Sequence, residues 1–310
     1  MAKSNNNTVV IRVNEKIKDK MIKYYEDKKR NKEIPYVVFQ AEDNGTVVTM
    51  YTSNKVMFQG SSADVDAAMW MEMADVEKRQ KEKKEKDQAD MKYYNTSSIG
   101  SDEVGTGDYF GPIVVTASFV KIEDIPFLEE LGIKDSKKLT DEKILEIAPK
   151  IAKKIPYKSI ILTNSEYNEK YKENNMNKIK AIMHNRALYE MVQNTKEKYD
   201  YIIVDEFARE QRYYEYLNDQ PVIQKDITFK TKAEDKNLAV ACSSVISRYL
   251  FLKEFDKLCD TLHLPLPKGA GANVDVIGEE LVEKYGKDKL KEVAKLNFAN
   301  TNRILKIVIF

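Results

Sequence analysis

The chain is poor in the residues that most often carry chemistry: two cysteines (Cys242, Cys259), two histidines (His184, His263) and one tryptophan (Trp70) in 310 residues. Two thiols cannot build a disulfide framework or a four-thiolate zinc site, so a reducing, cytoplasmic setting is expected. No apolar run approaches the roughly 18–20 residues that a membrane helix requires. The opening residues, MAKSNNNTVV, lack the apolar centre of a secretory signal. A chain that neither spans nor sits on a membrane is therefore expected. Neither charge is in excess, since 51 Lys and Arg against 50 Asp and Glu leave +1. That balance argues against nucleic-acid binding through bulk charge and leaves room for a local patch. There is no internal repeat and no sustained heptad, and 18 Tyr and 11 Phe are available for burial. Collagen, coiled coil and wholesale disorder are excluded.

The composition shifts once. Residues 76–92, VEKRQKEKKEKDQADMK, carry both charges and almost nothing apolar. Such a segment cannot fold alone and is either an exposed linker or the end of a charged helix. It divides the chain into a small unit (1–75), a charged linker (76–94) and a large unit (95–310). In the small unit VVIRV (9–13) alternates as a strand, and Ile17, Met21 and Tyr25 recur every four residues as on a helix. Three short β-rich runs follow, split at Asn44-Gly45 and Asn54, and a helix returns at 62–77 with Trp70 in its core face. This order suits an antiparallel sheet with helices on one face. In the large unit β-rich runs (158–163, 199–207, 226–230) alternate with helices (141–153, 176–194, 237–258), which indicates an α/β domain.

Three acidic positions stand out. Asp102 and Glu103 close the first strand of the large unit, and Asp205 follows the apolar run YIIV. Carboxylates there lie at the C-terminal edge of a sheet, where α/β proteins place their sites. Crowded carboxylates need a shared proton or divalent cations. All-oxygen ligands with no His or Cys nearby select Mg²⁺ or Mn²⁺ over zinc. Neighbours in a regular strand face opposite ways, so Asp102 and Glu103 share a site only if the strand ends or bulges there. Strand-end acids also cap helices or face water, and Glu206 competes with Asp205 for the inward position. The loop GTGDYFGP (105–112) is neither a P-loop nor a dinucleotide fingerprint, because its glycines are spaced G-x-G-x-x-x-G and Pro112 opens a β-rich run. Its glycines permit close approach of a polynucleotide phosphate to the backbone.

SIGSDEVGTGDYFGP (98–112) resembles the first motif of the bacterial type 2 ribonucleases H, in the form found in ribonuclease HIII. The likeness continues in order through GIKDSKKLT (132–140), NMNKIKAIMHN (175–185), IIVDEF (202–207), TKAEDKNLAVACSSVISR (231–248), LPLPKGAG (264–271) and NFANTNRI (297–304). YTSNKVMFQG (51–60) is similar to that group's N-terminal substrate-binding domain. The resemblance implies a ribonuclease H-like mixed sheet flanked by helices, with a small α+β TATA-binding-protein-like domain before it. It implies an endonuclease that hydrolyses the RNA strand of RNA–DNA hybrids, leaving 5′-phosphate and 3′-hydroxyl ends. Asp102, Glu103, Asp205 and Glu234 match the family's catalytic carboxylates, the first three as ligands of two Mg²⁺ or Mn²⁺ ions. Gly105, Thr106 and Gly107 match its RNA-contacting loop.

Lys138, Lys180 and Lys268 are the candidate phosphate contacts, although helix capping by Asp135 or Ser136 and a solvated helix face explain the first two as well. Asp235, an extra acid beside Glu234, is expected to face solvent. The Cys242-Ser243-Ser244 run is expected to alter packing more than chemistry, and the two histidines to take surface or helix-face roles. Tyr213–Tyr216 are expected to pack on the sheet. A monomer in the cytoplasm is the expected working form. Two other activities fit the same motifs less fully: incision at single embedded ribonucleotides, as in ribonuclease HII, and nucleic-acid binding without catalysis.

Overall fold

The computed structural model describes residues 7–31 and 33–306, and only the backbone of 75–89, 134, 135 and 137. The chain divides into two compact units, Met1–Ala89 and Asp90–Phe310.

The first unit runs β1 (Asn7–Arg12), α1 (Glu15–Tyr24), β2 (Val37–Asp43), β3 (Thr46–Tyr51), β4 (Lys55–Gly60) and α2 (Ala63–Tyr94), the last carrying the chain across the boundary. Its sheet has the order β1-β4-β3-β2 and is antiparallel throughout. The two-residue β2–β3 turn uses Asn44 (φ +46°) and Gly45 (φ +81°), left-handed conformations that this hairpin demands. Alternation in the strands sends Phe39, Ala41, Val48, Met50, Val56 and Phe58 inward against Ile17, Met21 and Trp70 of the helices. Trp70 Nε1 donates to the Tyr25 hydroxyl at 3.2 Å, which satisfies its one donor in the core. Residues 76–94, set apart as a charged linker or the end of a charged helix, are helical, because α2 is unbroken to Tyr94.

The second unit begins with β5 (Ser98–Val104), β6 (Ile113–Val120), α3 (Ile125–Glu130), α4 (Asp141–Lys154) and β7 (Tyr157–Leu162). It continues with α5 (Asn164–Tyr171), α6 (Met176–Asn194), β8 (Tyr201–Asp205), α7 (Glu210–Glu215), β9 (Ile227–Lys230) and α8 (Leu238–Leu262). It closes with α9 (Ala272–Tyr285), α10 (Leu290–Val293) and α11 (Ala299–Ile304). The sheet order is β7-β6-β5-β8-β9, with β6 antiparallel to β5 and β7, and β8 and β9 parallel to β5. All eight residues of β6 are buried, because both sheet faces are covered. Val114 joins the core formed with α4 and α8, while Ile113, Val115, Ala117 and Phe119 join the one formed with α6. Helix α8 lies hard against β5, since a Cβ on Gly100 would sit 2.4 Å from the backbone nitrogen of Val240.

Candidate active site

The parallel pairing of β5 with β8 builds the site's centre. Ser101 stands opposite Val204, so the next residue on each strand, Asp102 and Asp205, falls side by side where the ladder ends. Residues level with each other in parallel strands share a face. Asp205 is half-buried and Glu206 exposed, so the fold favours Asp205 as the inward acid. The Ala233 N–H donates to Asp205 Oδ1 at 2.8 Å. That bond ties the end of β8 to the Ala233–Asp235 turn that carries Glu234, while Asp235 is exposed as expected.

Asp102 is hemmed in from the α8 side. The Ser244 hydroxyl donates to its carboxylate, and Ser247 Oγ donates to its carbonyl at 3.1 Å. Ser243 Oγ donates to the Gly100 carbonyl at 2.9 Å. The serines of α8 thus fix the strand end and touch the acid itself, which corrects the expectation that they alter packing more than chemistry. Burial, then the charges of Glu103 and Glu234, push the Asp102 carboxyl well above its usual pKa. Glu103 and Glu234 therefore both lie within electrostatic reach of Asp102.

Glu103 shows the opposite behaviour. β5 stays regular through Val104, with Glu103 opposite Val115 of β6, so no bulge brings Glu103 onto the face of Asp102. Its side chain accordingly leaves the other face, toward α6. There Lys180 Nζ pairs with Oε1, and His184 Nε2 lies 2.9 Å from Oε2. His184 Nδ1 lies 2.8 Å from Ser101 Oγ, so this fully buried ring joins the strand to the acid. Burial opposes the Glu103 charge, but His184 and Lys180 outweigh it and hold the carboxyl well below its usual range. His184 therefore acts from a helix face, beside Lys180 and against the candidate site acid Glu103, and the surface role also expected of it is ruled out by its burial. The motif NMNKIKAIMHN carried the signal, because Lys180 and His184 are one helical turn apart. Lys180 is 8% exposed, with its ammonium 4.1 Å from the Phe207 ring centroid. It faces Glu103, which corrects its expected role as an outward phosphate contact.

Among the described residues no three His, Cys, Asp or Glu side chains stand close enough to hold a metal ion. Glu103 is turned to Lys180 and His184, and Asp205 to the Ala233 N–H. The chemistry around Asp102 nevertheless suits a hard cation. The donors are carboxylate oxygens, and burial first, then the neighbouring charges of Glu103 and Glu234, disfavour the Asp102 carboxylate, a cost that a hard cation would offset.

The glycine loop lies just past Glu103. Gly105 (φ +94°) must be glycine, since a Cβ would meet the Pro112 carbonyl oxygen at 2.1 Å. Gly107 is exposed, does not have a positive φ, and a Cβ there would meet nothing within 4 Å. Nothing inside the fold requires a glycine at 107, so the open space lies on the solvent side. Thr106 between them is half-buried. Lys268 pairs with Asp141 at the start of α4, where Arg248 Nε also binds that carboxylate at 3.0 Å. Three separated motifs thus meet at one acid. Lys138 is exposed at the end of the Ile133–Lys138 turn, and the side chains of Asp135 and Lys137 lie outside the described residues. Tyr213 is fully buried against Phe207 and Phe229, so it packs in the core as expected.

The same arrangement recurs in known proteins. The family model described as Ribonuclease HII matches residues 99–301, and a domain of unknown function (DUF3378) matches residues 8–84. Ribonuclease HIII of Bacillus cereus is 39% identical, covering 97% of this chain and 99% of the relative. The crystal structure of Bst-RNase HIII in complex with Mn²⁺ superposes with a TM-score of 0.69 at 36% identity, over 97% of this chain and 99% of that one. Aquifex aeolicus RNase H3, at 22% identity and a TM-score of 0.54, covers 93% of this chain and 99% of its own, and shares the fold. With a ribonuclease H-like mixed sheet, strand-end carboxylates and likeness along almost its whole length, the chain belongs to the ribonuclease HIII family of type 2 ribonucleases H.

Proposed function

We propose that this chain hydrolyses the RNA strand of RNA–DNA hybrids with Mg²⁺ or Mn²⁺, leaving 5′-phosphate and 3′-hydroxyl ends. The reading rests on one observation above all: Asp102 and Asp205 end adjacent parallel strands, with Glu234 near enough to raise the Asp102 pKa. Asp102 and Asp205 would hold the ions, joined by Glu103 once its carboxylate turns from Lys180 and His184, and Glu234 would complete the site. When bound, such cations neutralise the crowded carboxylates, activate the attacking water and stabilise the leaving oxygen. Lys180 and His184 keep Glu103 ionised and therefore ready as an anionic donor. Ser244 and the Ala233 N–H orient Asp102 and Asp205.

The exposed backbone at Gly107, with Gly105 shaping the turn and Thr106 between them, meets the RNA strand. There the 2′-hydroxyl separates RNA from DNA. Lys138 and Lys268 reach phosphates at the rim, Lys268 by exchanging Asp141 for the substrate. The first unit binds the duplex as a TATA-binding-protein-like module, and the enzyme works as a monomer in the cytoplasm.

A labelled hybrid carrying a run of ribonucleotides tests the reading directly. Cleavage is expected only with Mg²⁺ or Mn²⁺, and more readily than at a single embedded ribonucleotide. Asp102→Asn and Asp205→Asn should each lose about three orders of magnitude in rate or more, while hybrid binding in Ca²⁺ persists. Cleavage in chelator, or unimpaired variants, would overturn it.

A further inference from the structure

The glycine loop is pinned from behind by a residue almost two hundred positions away. Lys295 is wholly buried, and its Nζ donates to the carbonyl oxygens of Asp108 (2.8 Å) and Gly111 (2.6 Å). Its backbone N–H donates to the Tyr109 carbonyl at 2.8 Å. The carbonyls of residues 108, 109 and 111 therefore all end on one residue. The Gly111 N–H returns a bond to the Val293 carbonyl at 3.2 Å, and Phe110 forms an isolated bridge with Ala294. A second tie comes from Gly269, which donates to Asp108 Oδ1 at 2.6 Å and accepts from the Tyr109 N–H at 2.8 Å.

These bonds grip residues 108–111 and leave Thr106 and Gly107 as an arch carried on that base. Packing alone does not account for a lysine at this position. Burial draws its ammonium pKa down to about 7 against the pull of Asp108, whereas a methionine would fill similar space without that penalty. What the ammonium adds is two directed bonds to loop carbonyls.

We propose that Lys295 is a positioning residue for recognition of the RNA strand: it locks the base of the glycine loop so that the Thr106–Gly107 arch meets the ribose at a fixed height. The proposal deepens the function given above and rests on its assignment of the loop to the RNA strand.

Lys295→Met removes both side-chain bonds at similar volume, and Lys295→Gln retains an N–H donor. Binding in Ca²⁺ to a short RNA–DNA hybrid and to the all-DNA duplex of the same sequence, amide exchange at residues 106–111, and the separate values of kcat and KM form the readout. Lys295→Met should weaken hybrid binding and raise KM about tenfold, the loss of roughly 1.4 kcal/mol. All-DNA binding and kcat should stay within about twofold and loop exchange should quicken, with Lys295→Gln intermediate. A purely structural role would instead weaken both duplexes together or lower kcat alone, and either result overturns the proposal, as does an unchanged KM. If circular dichroism shows Lys295→Met unfolded, Lys295→Gln carries the same comparison. Gly107→Ala separates the two assignments, because a Cβ there meets nothing within 4 Å. If it leaves hybrid KM unchanged, the loop's role fails; if it raises KM while both Lys295 variants do not, only the role of Lys295 fails.

Discussion

At the scale of single residues, Asp102 and Glu103 are neighbours with opposite electrostatics. The Asp102 carboxyl titrates above its ordinary value because burial, Glu103 and Glu234 disfavour its charge. The unfolded chain gives up that proton first, so the contribution of Asp102 to the stability of the metal-free protein falls as pH rises above about 4. The Glu103 carboxyl is depressed, so its stabilising pairing with His184 and Lys180 is present above its unfolded value and is lost as pH falls through the folded one. Asp102→Asn should therefore raise the melting temperature of the metal-free protein at neutral pH, by roughly 2–4 °C for each ~1 kcal/mol relieved. The gain should vanish in acid and shrink when Mg²⁺ stabilises the parent protein. Thermal unfolding across a pH series in chelator measures it, and a variant less stable than the parent at neutral pH would contradict the charge assignment.

Among the elements, α8 is the brace of the centre, and Gly100 is where it bears on β5. An added Cβ would lie 2.4 Å from the Val240 nitrogen and 2.7 Å from the Ala239 carbonyl carbon, both backbone atoms that cannot rotate aside. Gly100→Ala should thus cost about 1–3 kcal/mol or more, roughly 2–12 °C in melting temperature. It should also lower activity beyond the stability loss, since Ser243, Ser244 and Ser247 would lift from the strand end. Calorimetry with activity measured well below the transition separates the two effects.

This seam also marks how far the sequence could be read. The strands, the hairpin at Asn44-Gly45 and the ends at Asp102 and Asp205 were legible, because alternation and turn chemistry are local. The grip of the α8 serines on β5 was not, since Ser243 and Gly100 are 143 residues apart. Nor was His184 legible as the partner of Glu103, 81 residues away, with only its spacing from Lys180 as a signal. The helicity of 76–94 was left open, because a segment with no apolar stripe gives no periodicity to read.

For the molecule as a whole, the two units divide the work under the proposed function. Removing residues 1–89 should weaken hybrid binding at least about tenfold while turnover at saturating substrate stays within a few-fold. Titration of the truncated and full chains against one hybrid, beside their kcat values, tests this; equal loss of both would remove the duplex-binding role from the first unit. The parallel seam between β5 and β8 has a further consequence for synthesis. Asp102 gains its neighbour Asp205 only after a hundred more residues are made, Ser244 follows on α8, and Lys295 reaches the glycine loop close to the end of the chain. A half-translated polypeptide therefore holds the fragments of a nuclease without its centre, and activity against a hybrid waits for the later segments to dock.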